Sequence, residues 1–205
     1  MLTNKLSYII QKVKHIKNIK ILELGVARGE STKLFLRLCK RNKGKLISVD
    51  IVDCSNLSDD SNWTFINSSD DNFNLINKYI KKLDLIFIDS LHEPNHVKRV
   101  FYNYYKKLKK GGICVIDDIS WLPYVKNSWR DNSFTERINR LTFQKILEIY
   151  NSNRQNFILE FLFEGSGLAI ITKKKENLNL EKRIHDRKFS IKNILKNIYS
   201  PKPVN

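Results

Sequence analysis

The stretch ILELGVARGEST, residues 21–32, changes character twice within one short span. Ile21, Leu22 and Leu24 form an apolar run interrupted only by Glu23, the pattern of a strand buried on both faces. Gly25-Val-Ala-Arg-Gly29 follows, with the punctuation of a tight turn. The segment STKLFLRLCKRN then carries Leu34, Phe35 and Leu38 on one helical face. A strand that meets a helix through a glycine turn is the opening of a βα unit, and that reading decides how the rest of the chain is parsed.

Outward from this unit the alternation continues. Strands are predicted at IKILELGV (19–26), GKLISVDI (44–51), WTFINSS (63–69), LDLIFIDS (83–90) and GICVIDD (112–118). Helices are predicted over 71–82, over 95–108, where Val97, Val100, Phe101, Tyr104, Tyr105 and Leu108 keep helical spacing, and over 133–150. NFILEFLFEGSGLAIITK (156–173) reads as two strands around an EGSG turn. The sum is a doubly wound α/β sheet of seven strands, mostly parallel, closed by a hairpin that supplies an antiparallel edge strand. Three segments follow: an N-terminal helix (1–18), a central domain (19–173) and a basic tail (174–205).

The totals exclude several classes. No run approaches 18 consecutive apolar residues, so no membrane span is expected. The N-terminus has lysines between helically spaced Leu2, Leu6, Ile9, Ile10, Val13 and Ile16, which is not the pattern of a signal peptide. Cys39, Cys54 and Cys114 are odd in number and widely spaced, which fits reduced thiols and a cytoplasmic location rather than a disulfide framework. The net charge is +16, and Lys173–Asn205 carries ten Lys/Arg against three Asp/Glu. That balance suits an anionic partner such as nucleic acid, an acidic glycan or a membrane surface. A chain rich in Lys, Asn and Ile also arises from AT-rich coding without selection for binding. The sequence neither requires nor excludes a homo-oligomer.

Ligands of open parallel sheets bind at the carboxyl ends of the strands, near the point where strand order reverses. Gly25 and Gly29 let backbone approach a ligand there, although glycine at such turns is often only structural. The spacing is G-x-A-x-G, through Ala27, and no P-loop Lys-Ser/Thr follows, which disfavours nucleoside triphosphate hydrolysis. Glu23, buried beside the loop, would repel phosphate and suit an ammonium. Asp50 ends the second strand about 20 residues on, where a carboxylate accepts from ribose hydroxyls. Two more apolar runs stop on acids: Asp89, with His92 three residues later, and the pair Asp117 and Asp118.

ILELGVARGEST, the acid of VDI and the strand ends IDS and IDD together resemble class I S-adenosylmethionine-dependent methyltransferases. The chain looks most like their metal-dependent O-methyltransferases: the catechol and caffeoyl-CoA type, and the bacterial group acting on sugar hydroxyls of macrolides and glycans. The resemblance spans about residues 19–173 and implies a Rossmann-like fold. It implies that Glu23 holds the methionine ammonium, that Gly25, Ala27 and Gly29 pass beneath the cofactor, and that Asp50 binds the ribose. It puts Ser69 and Asp70 at the adenine edge, though NSSDDN is also an ordinary helix cap. Ala27 replaces a glycine found in many members.

The resemblance further implies a divalent metal, magnesium for preference, held by Asp89, Asp117 and Asp118, with Asp89 also a catalytic residue. Clustered carboxylates need a cation, and oxygen ligands suit magnesium, calcium or manganese. His92 stands where catechol-type enzymes carry a lysine base, and imidazole accepts protons near neutral pH. A lone acid at such a place often merely caps the next helix. His96 lies four residues after His92, a zinc-compatible spacing, but Pro94 between them argues against one continuous helix. The loop SWLPYVKNSW (120–129) offers Trp121, Tyr124 and Trp129 as an acceptor lid, or as local packing.

The function expected is O-methyl transfer to a hydroxyl on a sugar, glycan or other small molecule. One rival is RNA 2′-O-methylation, for which the basic tail offers a nucleic-acid surface but no Lys-Asp-Lys-Glu tetrad is found. The other is a non-catalytic, cofactor-binding scaffold.

Overall fold

The computed structural model describes residues 4–122, 133–185 and 191–199. Tyr124 and Trp129 of the expected lid lie outside them, as do the first three residues and parts of the basic tail.

Seven strands form one sheet: β1 (Lys20–Leu24), β2 (Lys45–Asp50), β3 (Trp63–Asn67), β4 (Leu83–Ile88), β5 (Leu108–Asp117), β6 (Phe157–Leu162) and β7 (Leu168–Lys173). Their order is β3-β2-β1-β4-β5-β7-β6, with β1 through β5 parallel. The strand order reverses between β1 and β4, so the crevice for a ligand opens at the carboxyl ends of those two strands. β4 is buried along its whole length, as its unbroken apolar run demands.

β7 is the antiparallel strand, paired with β5 on one side and β6 on the other, and β6 takes the edge. The expected antiparallel edge strand is therefore one place inside the sheet. LAIITK is nearly all apolar and buried, whereas FILEFL is mostly half-exposed, so the more apolar strand occupies the interior.

Helices cover both faces. One face buries Phe35, Leu38 and Cys39 of α2 (Glu30–Asn42) together with Leu6, Ile9 and Val13 of α1 (Asn4–Val13). The N-terminal helix thus shares a core with β1, β4 and β5. The other face packs Val97, Val100, Phe101, Tyr104 and Tyr105 of α4 (Pro94–Tyr105) and Ile146 and Ile149 of α5 (Ser133–Asn153).

The helix expected over 71–82 shrinks to one turn, α3 (Phe73–Ile76). Asn72 caps it, accepting from the Leu75 N–H, and Asn77 already ends it. Asparagine competes with helical hydrogen bonds, while Ile76 and Ile80 reach the core without a longer helix. The last helix, α6 (Ile191–Tyr199), lies in the basic tail.

Candidate active site

The turn after β1 is built around one close approach. Gly25 has φ +94°, and a Cβ placed on it would stand 2.0 Å from the carbonyl oxygen of Asp89 at the end of β4. Only glycine fits there, because the loop crosses the neighbouring strand at backbone distance. Gly29 (φ +73°) starts α2, and Ala27 also lies at positive φ (48°). Asp50 holds this loop from β2. Its carboxylate accepts from the N–H groups of Val26 (2.7 Å), Ala27 (3.1 Å) and Val52 (2.9 Å). Partial burial pushes the Asp50 carboxyl up, but the backbone donors outweigh it and hold it below the ordinary value.

Above the loop lies a cavity of about 500 Å³. Of the residues assigned from the sequence, Gly25, Ala27, Asp50, Ser69, Asp70 and Asp89 line it. Ile51 and Val52 add apolar wall and are 75% and 63% exposed, so apolar surface is held open beside Asp50. Gly29 and Glu23 do not line it.

Glu23 is completely buried. Its carboxylate accepts from Ser31 Oγ (2.6 Å), Thr32 Oγ1 (2.8 Å) and Ser48 Oγ (2.6 Å), which clamps the first turn of α2 to β1 and β2. Burial pushes its pKa up to about 7, against the pull of the three hydroxyls. Ser31 faces a second cavity, of about 370 Å³, so Glu23 reaches that space only through the Ser31 hydroxyl.

Ser69 donates to Asp71 at 2.6 Å. Asp70 is buried and engaged: Ser90 Oγ donates to it at 2.5 Å, and His96 Nε2 lies 2.9 Å from Oδ1. Arg99 stands 3.1 Å from His96 Nδ1, and because a guanidinium only donates, the ring proton belongs on Nε2, toward Asp70. His96 is therefore the partner of Asp70, a role the sequence did not suggest. It is not a partner of His92: Glu93 caps α4, Pro94 begins it, and the two histidines diverge from that point.

The strand-end acids converge with His92. Its Nε2 lies 3.4 Å from Asp118 Oδ2 and 3.7 Å from Asp89 Oδ1. One ligand atom each from Asp89, His92 and Asp118 fall within 4.8 Å of one another. Asp117 turns the other way, where Lys5 Nζ of α1 binds both its oxygens (2.6 and 2.7 Å) and Ser166 Oγ (2.5 Å). Lys5 stands 3.9 Å from Asp118. Burial, then the charges of Asp117 and Asp118, push Asp89 up to about 8. Burial also raises Asp117, with Lys5 pulling it back. Carboxylates so destabilised fit a further cation, and the Asp89–His92–Asp118 set has donors for one. Asp89 lines both cavities and joins them.

Lys5 and Lys12 were not anticipated. Each precedes a buried residue of α1, and a heptad apart they pair with Asp117 and Glu160. Of the aromatic loop, Trp121 packs edge-on against Phe143 and lies under Arg140.

Residues 22–119 match a family model described as a methyltransferase domain. That match covers just under half of the chain. Solved structures share the fold. A Staphylococcus aureus protein assigned as a caffeoyl-CoA O-methyltransferase superposes with a TM-score of 0.64, at 20% identity over 83% of each chain. MycE of the mycinamycin biosynthetic pathway, in complex with Mg and SAH, gives 0.60 at 20% identity, over 83% of this chain and 50% of its own. This chain therefore spans about half of MycE. A Clostridium thermocellum protein assigned as an rRNA-methylase gives 0.60 at 18% identity, over 86% of this chain and 98% of its own. No curated protein matches the chain. The family model agrees with the methyltransferase class that the sequence resembles, and the solved structures agree with its fold.

Proposed function

We propose that this chain is a methyltransferase that binds S-adenosylmethionine in the cavity above the glycine turn and moves its methyl group to a hydroxyl at the Asp89–His92–Asp118 cluster. The observation that carries the reading is Asp89. It closes a cavity of cofactor size lined by Gly25, Ala27, Asp50, Ser69 and Asp70, and it also belongs to the acid–histidine cluster. Asp50 would add ribose contacts to those that fix the loop, and Ile51 would cover the base. Ser31, backed by Glu23, would meet the amino-acid end.

Asp89 and Asp118 would hold a divalent cation beside His92, with Asp117 paired to Lys5. When bound, such an ion lowers the pKa of a coordinated hydroxyl. His92 would take the proton, and the acceptor oxygen would attack the sulfonium methyl in line, breaking the S–C bond and releasing S-adenosylhomocysteine. The acceptor class that best suits the resemblance is a sugar or glycan hydroxyl, in the cytoplasm. MycE, with its Mg complex, supports this by likeness of fold alone.

Calorimetric titration with S-adenosylhomocysteine tests the cofactor assignment. Binding lost in Asp50→Ala is the expected result, and no binding by the unaltered chain refutes it. A chelator that leaves methyl transfer to added glycans at full rate would remove the metal. RNA as acceptor is the second reading, favoured by the +16 charge. Methyl transfer to RNA, and not to sugars, would decide for it.

A further inference from the structure

Asp70 and His96 both line the cavity above the glycine turn, and both are buried. A hydrogen-bond network fixes them to the elements on either side. Ser90 Oγ, just after β4, donates to Asp70 Oδ2 at 2.5 Å. His96 Nε2, on α4, lies 2.9 Å from Oδ1 and 3.0 Å from Oδ2. Arg99 Nη2, three residues on, reaches His96 Nδ1 at 3.1 Å and Asp71 Oδ2 at 2.8 Å. The Tyr104 hydroxyl donates to the Asp70 carbonyl at 2.7 Å.

The arrangement holds the acid in place without cancelling its charge. The guanidinium bonds Asp71 and the far nitrogen of the ring. With Nδ1 accepting from Arg99, the imidazole turns one N–H to Asp70 and brings it no charge. Among the described residues only Ser90 and His96 donate to the carboxylate, which as an anion accepts at about four lone pairs. Asp70 therefore keeps acceptor capacity, in a fixed orientation, at the wall of a cavity of cofactor size.

The cofactor reading proposed above supplies the missing donor. Asp50 is assigned to the ribose hydroxyls, and Ile51 and Val52 add only apolar wall. The donor that remains on the nucleoside is the exocyclic amine of adenine. An oxo group at that position would set one acceptor against another. We propose that His96 is a positioning residue for the cofactor: with Ser90 it fixes the Asp70 carboxylate to accept from the adenine amine, and so makes the site selective for a 6-amino over a 6-oxo purine. This inference rests on the cofactor reading.

The test is calorimetric titration of the full chain with S-adenosylhomocysteine and with its deaminated analogue, S-inosylhomocysteine. The ratio of the two dissociation constants is the readout. The unaltered chain should prefer the amine by about 100-fold, as expected of a hydrogen bond to a charged acceptor. His96→Leu should lower that preference about 10-fold, because the carboxylate is then free to turn. A purely structural role would weaken both ligands alike and leave the ratio unmoved. Ser90 is half-buried, so Ser90→Ala removes the other donor with little risk to folding and should lower the ratio about threefold. It decides alone if His96→Leu does not fold. A ratio at the wild-type value in every variant that folds overturns the inference and leaves the cofactor reading intact, as does an unaltered chain that binds both compounds equally. An unaltered chain that binds neither overturns the cofactor reading, and this inference with it.

Discussion

Glu23→Gln offers a measurement in which burial and protonation oppose each other on one side chain. Glu23 is fully buried, and its carboxyl is raised from 4.5 to about 7, first by desolvation. A folded-state pKa above the unfolded one means that the native state keeps its proton longer. The stability contributed is complete below pH 4.5 and is lost as pH rises through 7. At 1.36 kcal/mol per pKa unit, the loss by pH 8 is about 3 kcal/mol. The amide fits the same three hydroxyls. Its carbonyl can take the place of Oε2, which accepts from Thr32 and Ser48, and its NH₂ can donate to Ser31 in place of Oε1. The variant removes the titration while keeping the clamp. Urea unfolding at a series of pH values should find the two proteins nearly equal at pH 5, with Glu23→Gln ahead by about 3 kcal/mol at pH 8. A difference that does not change with pH, or a variant weaker at pH 8, would refute the reasoning and leave Glu23 ionised in the core.

Four further outcomes follow from the same geometry. Gly25→Ala, which drives a Cβ to 2.0 Å from a backbone oxygen, should cost more than ~3 kcal/mol in urea unfolding and abolish S-adenosylhomocysteine binding. Gly111→Ala, with nothing within 4 Å, should cost only about 1 kcal/mol for its positive φ. Lys5→Met strands the buried Asp117 charge and should lose about 3 kcal/mol by denaturant titration, most of it returned by adding Asp117→Asn. His92→Ala should cut turnover roughly 10²–10⁴-fold while magnesium affinity by calorimetry stays unchanged. A parallel fall in metal affinity would move Nε2 into the ligand set.

The sheet and the mouth of the site were readable because parallel strands buried on both faces write themselves as unbroken apolar runs. The point where a run stops on a carboxylate marks a carboxyl end. Asp50, Asp89 and Asp117 were found by that signal, and adjacent strands then bring their ends to one rim. Periodicity cannot say which way a polar side chain at that rim turns. Asp70 lines the cavity, and its carboxylate is also held by His96 and Ser90. Glu23 is expected at the ligand, and its oxygens accept from hydroxyls eight, nine and 25 residues away.

Lys5 is the instructive omission. A lysine beside the apolar stripe of an amphipathic helix reads as solvated, and its partner Asp117 is 112 residues distant. Charge balance held the clue. Acids gathered at strand ends require positive charge, and an external ion is only one source of it. Here α1 supplies an ammonium to Asp117 and leaves Asp89 and Asp118 beside His92. Neutralising one carboxylate from within lowers the repulsion a divalent cation must offset, and it also removes one oxygen from the set available to that cation. The N-terminal helix would therefore bear on how strongly the cluster held a metal, although none of its residues belongs to the acid–histidine set.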